Sequence, residues 1–536
     1  MQKLLLLGDE AIAQGAIDSG LSGMFAYPGT PSTEITEYVQ GSAEAKEKNI
    51  RSNWSANEKT AMEAALGMSY SGKRAMVGMK HVGLNVAADA FVNSSITGVN
   101  GGLIVVSADD PSMHSSQNEQ DSRFYGKFAM MPILEPSNQQ EAYEMTRYGF
   151  ELSEKYQIPV LMRITTRLAH SRAGVERKEA LPQNKLVLPK DRNQFVLLPS
   201  IARKRYSGLL SNQASFEMES EKSDFNQYID GEDKSMGIIA CGLAYNYLVE
   251  NFEDDKVPYP VIRLAQYPEP RDLIERMVKE TDSIMVLEEG APILEERLRG
   301  YIDEHLNIKG RMDGTLPRAG ELNPNHVAVA LGLEKPRENK VPDIVAGRPP
   351  ELCSGCPHID TYKALNEVLE DYGDGHVFSD IGCYTLGALD PYNAINSCVD
   401  MGASVTMAKG AADAGLHPAV TVIGDSTFTH SGMTGLLDAV IDESKVTIMI
   451  LDNDTTAMTG GQKSSAKGRI ESICEGIGVD PEHIRVIKPI RKHHEENVQI
   501  MREEIEYDGV SVIIPRRECI VALNKRMRAK HKNKKK

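Results

Sequence analysis

The chain has no excess of basic charge to offer a polyanion: 60 Lys and Arg stand against 76 Asp and Glu, a formal net charge of −16 over 536 residues. That balance excludes a general nucleic-acid binder, which needs a basic face. No apolar run is long enough to span a bilayer. The longest early one, in MQKLLLLGDEAIAQGAI, meets Gly8, Asp9 and Glu10 almost at once and carries no secretory cleavage pattern. There is no short-period repeat and no low-complexity core. Cysteine is sparse and odd in number, seven in all. Without a leader, that count excludes a disulfide framework and points to a reducing, cytoplasmic setting without membrane contact. The only CxxC, Cys353 to Cys356, has no second CxxC after it, so a zinc ribbon is poorly supported.

What is present is an ordinary globular composition, spread over a length that calls for several domains. Up to about residue 170, apolar runs (LLLL, GMFAYPG, RAMVGMK, GGLIVVSAD, IPVLMRIT) alternate with helical patterns, the signature of a parallel α/β sheet. LLLLGD reads as a buried strand feeding a helix. Residues 171–235 are polar, and their later part, SNQASFEMESEKSDFNQYIDGEDKS, reads as an exposed connector. A smaller α/β pattern fills 236–335, and the Pro- and charge-rich stretch near 340 marks a boundary. A third α/β unit covers 345–524, with strands in HVFSDIG, AVTVIGD, VTIMILDND and VSVIIPRR. The basic tail, 525–536, is expected to be disordered and solvated.

Four strings carry chemistry: YPGTPSTE near residue 30, ANEK around Glu58, CSGCPH around Cys353, and GDSTF…LDND from Gly424 to Asp454. AVTVIGD and VTIMILDND end in Gly424-Asp425 and Asp452-Asn453-Asp454, where ligands of open parallel sheets collect. If these strands are neighbours, Asp425 and Asn453 offer oxygen to a Mg²⁺ ion, and the helix opening at Ser426 offers N–H groups to a diphosphate. The bland alternative is common α/β punctuation. Glu58, in ANEK, sits at a helix start, where an acid also simply complements the helix dipole. Cys353 and Cys356 could be half a zinc site, a redox pair or two buried thiols. Cys383 and Cys519 follow strand-like runs and could converge on them, whereas Cys241, Cys398 and Cys474 read as small core residues.

Taken together, YPGTPSTE, ANEK, SADDPSMHSSQNEQDSR, LEPSN, RPPELCSGCPH and GDSTF…DND resemble the α-subunit family of the indolepyruvate ferredoxin oxidoreductases. The resemblance implies two parallel-sheet thiamine diphosphate domains, for pyrimidine (1–170) and diphosphate (345–524), with the smaller α/β domain between them. It implies Mg²⁺ on Asp425, Asn453 and the Thr455 carbonyl, with Gly382, Tyr384, Gly402, Gly424 and Ser426 beside the cofactor. Glu58 would activate the pyrimidine, Thr30 would contact the bound 2-oxo acid, and Arg123 would pair with its carboxylate. Cys353, Cys356, Cys383 and Cys519 would hold one [4Fe–4S] cluster. The implied reaction is oxidative decarboxylation of an arylpyruvate to an acyl-CoA, with a smaller β subunit, ferredoxin or another carrier as partners, in an oligomer. A non-oxidative decarboxylase or carboligase is the alternative. The sequence departs from the family by ending in basic residues rather than in a ferredoxin-like module, which leaves the electron acceptor open.

Overall fold

The computed structural model describes residues 3–189, 193–301, 307–334, 341–347, 351–398 and 400–534. The chain divides into two compact units, Met1–Asn339 and Lys340–Lys536.

The first unit is built on a seven-stranded sheet in the order Gln266–Tyr267, Ile133–Leu134, Val160–Thr165, Leu103–Asp109, Ala75–Lys80, Gly23–Ala26, Arg51–Trp54. All pairings are parallel except that of Gln266–Tyr267. Successive side chains alternate between faces, as a pleated strand requires. Met76, Ile104 and Val106 join one apolar cluster with helices Gly8–Asp18 and Gln139–Tyr156. Val77, Leu103 and Val105 join another, with helices Glu58–Tyr70 and His81–Thr97. From Gly23–Ala26 the chain moves outward to Arg51–Trp54, then returns to Ala75–Lys80 on the other side. The connections therefore diverge between these neighbours, which makes a crevice at the carboxyl ends of the two strands.

A five-stranded sheet follows in the same unit, ordered Asn307–Lys309, Ser283–Leu287, Gly237–Cys241, Val261–Leu264, Gln227–Ile229. It is parallel but for the last strand. Positions 170 and 235 both fall inside this first unit.

Three local expectations are corrected. Lys3–Leu7 is a strand, but it pairs antiparallel with Arg172–Glu176 in a separate two-stranded sheet and leaves Leu5 67% exposed. Of its four leucines only Leu6 is buried in the core, with Leu4 packed against it. The stretch read as an exposed connector holds a 23-residue helix, Pro199–Glu221, anchored by buried Leu209 and Phe216. Two anchors seven positions apart give too thin a stripe to read as amphipathic. The basic tail continues a helix, Ile520–Lys534, rather than being disordered. Lys525 Nζ donates to the Gly460 carbonyl (3.3 Å), and Arg526 pairs with Glu518 (2.7 Å).

The second unit carries a fully parallel six-stranded sheet, ordered Ser397–Cys398, Val377–Ser379, Val420–Gly424, Val446–Leu451, Val510–Pro515, Ile484–Ile487. Connections diverge between Val377–Ser379 and Val420–Gly424. The crevice beyond those strands is entered by Asp380 and Asp425.

Candidate active site

The strands ending in Gly424 and Leu451 are hydrogen-bonded neighbours, so Asp425 and Asn453 leave adjacent strands into the same crevice. Asp425 is buried. Its Oδ1 accepts the Ser426 N–H at 2.6 Å, and its Oδ2 is buried with no hydrogen-bond partner. Burial first, and the Asp452 carboxylate second, push the Asp425 carboxyl up to about 7. Asp452 also keeps a buried, unpartnered Oδ1. Buried, unpaired carboxylate oxygens are expensive unless a cation joins them, and hard oxygen donors suit Mg²⁺. Asn453 Oδ1 accepts the Thr455 N–H at 3.1 Å, and Thr455 Oγ1 donates to the Gln462 carbonyl at 2.9 Å. Asp454 turns the chain here with φ = 66°. The loop carrying the Thr455 carbonyl is thereby fixed beside Asn453.

The helix expected from Ser426 opens at Asp425 and passes through a π-helical turn, Phe428–Gly432, before Met433–Ile441. π-Turns of this kind are often found at functional sites. Gly382, Gly424 and Tyr384 form one packed group. A Cβ on Gly382 would meet the Tyr384 ring at 2.2 Å, and one on Gly424 would meet it at 2.6 Å. Gly402, at φ = 96°, donates its N–H to Asp380 Oδ2 at 3.2 Å.

Asp380 is the hub that sequence reasoning missed. It accepts the Tyr384 hydroxyl and, at 2.7 Å, the Ser404 hydroxyl, and burial pushes its carboxyl up to about 6. One Asp after a strand in SDIG gave no signal of three converging partners. His358 was also missed. It is fully buried, its imidazole driven down to about 4 by burial, with Nε2 3.5 Å from Cys383 Sγ and 3.4 Å from Asn453 Nδ2. A neutral imidazole thus stands between a thiol and a prospective metal ligand.

The four thiols singled out by sequence act on one another. Burial pushes Cys356 up to about 11, with Cys353 and Cys519 adding to it. Burial pushes Cys383 up to about 12, with Cys356, Cys519, Asp425 and Cys353 adding. The Cys519 N–H donates to the Asn453 carbonyl at 3.2 Å, which ties the fourth cysteine to the same crevice. Among the described residues, no three of these thiols lie within 4.8 Å of one another. Zinc bonds to sulfur of about 2.3 Å would bring them to about 3.8 Å. A four-iron cluster spreads its thiolates wider, and four thiolates are what it takes. Bound iron would also remove the protons that burial holds on Cys356 and Cys383. Of the remaining cysteines, Cys241 and Cys474 are buried as expected, but Cys398 is exposed at the sheet edge.

In the first unit, Glu58 opens helix Glu58–Tyr70 behind the Asn57 cap, whose side chain accepts the Thr60 N–H at 2.8 Å. It is buried against Gly83, where a Cβ would meet Glu58 Oε1 at 2.6 Å. Thr30 follows strand Gly23–Ala26, and its carbonyl accepts the Ser115 hydroxyl at 3.3 Å. Lys80 ends the neighbouring strand and packs its methylenes on Gly29. Its Nζ donates to the Ser115 carbonyl at 2.9 Å. Burial lowers the Lys80 pKa, while Asp110 and Glu58 oppose that loss of charge. Glu58, Thr30 and Lys80 therefore border the crevice between Gly23–Ala26 and Ala75–Lys80. Lys80 went unnoticed in the sequence, where RAMVGMK reads only as a strand.

Arg123 is elsewhere, and the role expected for it is corrected. Its side chain is 1% exposed and its guanidinium is saturated. Nε and Nη2 donate to Asp121 (2.9 and 2.6 Å), Nη2 also to the Ala291 carbonyl (3.0 Å), and Nη1 lies 3.0 Å from Glu288 and 3.2 Å from the Tyr267 hydroxyl. The fully buried Arg163 pairs with Asp109 at 2.6 Å and with Glu135, closing a network across the two sheets of this unit. No N–H of Arg123 is left for a substrate carboxylate.

Two family models match the chain: "Pyruvate flavodoxin/ferredoxin oxidoreductase, thiamine diP-bdg" over residues 14–225, and "Thiamine pyrophosphate enzyme, C-terminal TPP binding domain" over residues 380–514. With the two parallel sheets, they define a thiamine-diphosphate-binding oxidoreductase of α/β architecture. The chain is 39% identical to "Indolepyruvate oxidoreductase subunit IorA" of Archaeoglobus fulgidus, over 99% of this chain and 89% of that protein. It is likewise 39% identical to the subunit of the same name from Methanothermobacter thermautotrophicus, over 97% of this chain and 87% of that one. A more distant relative, "2-oxoglutarate synthase subunit KorA" of the latter organism, is 28% identical over 32% of this chain and 47% of its own length. The chain belongs to the IorA family of indolepyruvate oxidoreductase subunits. Among the described residues, no helix is long and apolar enough to cross a membrane.

Proposed function

We propose that this protein catalyses the oxidative decarboxylation of an arylpyruvate, indolepyruvate foremost. The 2-oxo acid and CoA give acyl-CoA, CO₂ and a proton. Two electrons leave singly through one [4Fe–4S] cluster to ferredoxin or another carrier. The observation that carries this reading is the set of Cys353, Cys356, Cys383 and Cys519 gathered at the crevice of Asp425 and Asn453.

Thiamine diphosphate, when bound, supplies carbanion stabilisation at the 2-oxo carbon. The chain does the rest. Residues 345–524 form the diphosphate domain, where Asp425, Asn453 and the Thr455 carbonyl would hold Mg²⁺, and Gly424 and Ser426 would stand beside the diphosphate. Tyr384, seated on Gly382 and Gly424 and fixed by Asp380, shapes the floor of that crevice, and Gly402 completes it. Residues 1–170 form the pyrimidine domain, separated from it by the connector 171–235 and the small domain 236–335. There Glu58 would hydrogen-bond to a ring nitrogen, and Thr30 would orient the substrate. Lys80, beside both, is the cation available for the carboxylate that Arg123 cannot meet. A smaller β subunit and an oligomeric, cytoplasmic assembly complete the reading.

The test is an anaerobic preparation with its partner subunit, offered aryl and branched 2-oxo acids with CoA and several acceptors. Acyl-CoA formation coupled to acceptor reduction, fastest with aryl substrates, is expected. Release of aldehyde without acceptor reduction would replace this reading by the non-oxidative one.

A further inference from the structure

Three side chains from three helices converge near the start of the first unit. Asp9 lies in the first turn of Gly8–Asp18, Glu34 in the first turn of Thr33–Gly41, and His170 ends Thr166–His170. Gly8 makes the approach possible, since a Cβ there would meet the Leu168 carbonyl oxygen at 2.3 Å. One ligand atom from each of the three lies within 4.8 Å of the other two. Asp9 is fully buried, yet neither carboxylate oxygen has a hydrogen-bond partner. Glu34 Oε2 is buried and faces His170 Nε2 at 3.5 Å.

A buried carboxylate without a donor is a large penalty, and the nearest charges make it worse. Burial first, then Glu34 and Glu10, disfavour the Asp9 anion. Glu10 is not part of the cluster: its Oε2 is held by the Leu7 N–H at 2.8 Å. What would relieve all three groups is a cation with room for one nitrogen and two oxygens. The 3.5 Å between His170 Nε2 and Glu34 Oε2 matches the tetrahedral edge of about 3.4 Å drawn by zinc bonds of about 2.0–2.2 Å. Glu34 and His170 are each about one-third exposed, which leaves a path for the ion and a position for water.

We propose that Asp9, Glu34 and His170 form a divalent transition-metal site of the zinc class, separate from the Mg²⁺ and iron positions of the reaction centre. One carboxylate–imidazole edge already has the right length, and the two oxygens of Asp9 supply the third ligand.

The experiment uses the full-length protein with its partner, cofactor and iron in place, dialysed against Zn²⁺ with excess Mg²⁺. Zinc is counted per chain, and its first shell is read by X-ray absorption. The expected result is one zinc per chain with a shell of oxygen and nitrogen only, and a rise in Tm on binding. Asp9→Asn and His170→Ala should each weaken it by more than about 100-fold, beyond what supporting residues of metal sites contribute. Glu10→Gln should bind as the parent does. His170→Ala removes an exposed side chain at a helix end, so it decides the matter if Asp9→Asn fails to fold. Absence of bound zinc at micromolar concentration, a shell containing sulfur, or equal binding by His170→Ala would overturn the proposal.

Discussion

Two parallel sheets in one chain handle buried charge in opposite ways. In the first unit, Arg123 and Arg163 are matched inside the protein by Asp109, Asp121, Glu135 and Glu288, and the network closes on itself. In the second, Asp425 and Asp452 keep unpartnered oxygens, and Cys356 and Cys383 hold protons that burial will not release. The first arrangement is complete as a fold. The second leaves buried oxygens whose hydrogen-bonding capacity is unspent. The lesson is that full burial of a charged side chain does not by itself mark a site; the sign is whether its hydrogen-bonding capacity is spent.

The comparison can be broken from either side. The largest effect is expected from Cys383→Ser, which should abolish reduction of any acceptor and lower the iron content, while thiamine diphosphate still binds. Retention of full iron would separate the thiols from the cluster. Glu58→Gln should come next, slowing 2-oxo acid turnover by about 10²–10⁴, the range for loss of an acid–base group, with an unchanged melting curve. A wild-type rate would return Glu58 to the role of a helix-dipole acid.

Arg123→Met is expected to destabilise the first unit by about 3–5 kcal/mol, because it leaves Asp121 and Glu288 buried without their cation. Thermal unfolding would read the loss, and the KM of the remaining folded enzyme should not move. A large rise in KM without a loss of stability would restore Arg123 as the substrate's partner. The smallest effect belongs to Asp425→Asn. It should weaken Mg²⁺-dependent thiamine diphosphate binding by more than about tenfold, measured calorimetrically, while sparing or raising stability of the metal-free protein. Lower stability there would mean that Oδ2 has an internal partner after all.

Those unequal outcomes follow the line between what could be read from the sequence and what could not. The buried strands AVTVIGD and VTIMILDND were plain, since unbroken β-branched runs between turn residues suit a two-sided parallel sheet. Their adjacency, on which Asp425 and Asn453 depend, is in the register Gly424↔Leu451. Arg123 was misread because its partners Glu135 and Glu288 lie 12 and 165 positions away, and no local pattern announces a closed network. Helix Pro199–Glu221 was missed because only Leu209 and Phe216, with Ser220, are buried. Asp380, His358 and Lys80 are single residues whose meaning lies in what converges on them. Asp9, Glu34 and His170 come from three helices, and no spacing joins them.

The central claim is that the thiols of the second unit await a redox cluster served by the 2-oxo acid. Electron paramagnetic resonance of the anaerobically purified complex tests it most directly. The account predicts about four irons per chain at these thiols, and a reduced-cluster signal that appears only when thiamine diphosphate and a 2-oxo acid are both present. A preparation without iron, or a cluster signal indifferent to the 2-oxo acid, would contradict it.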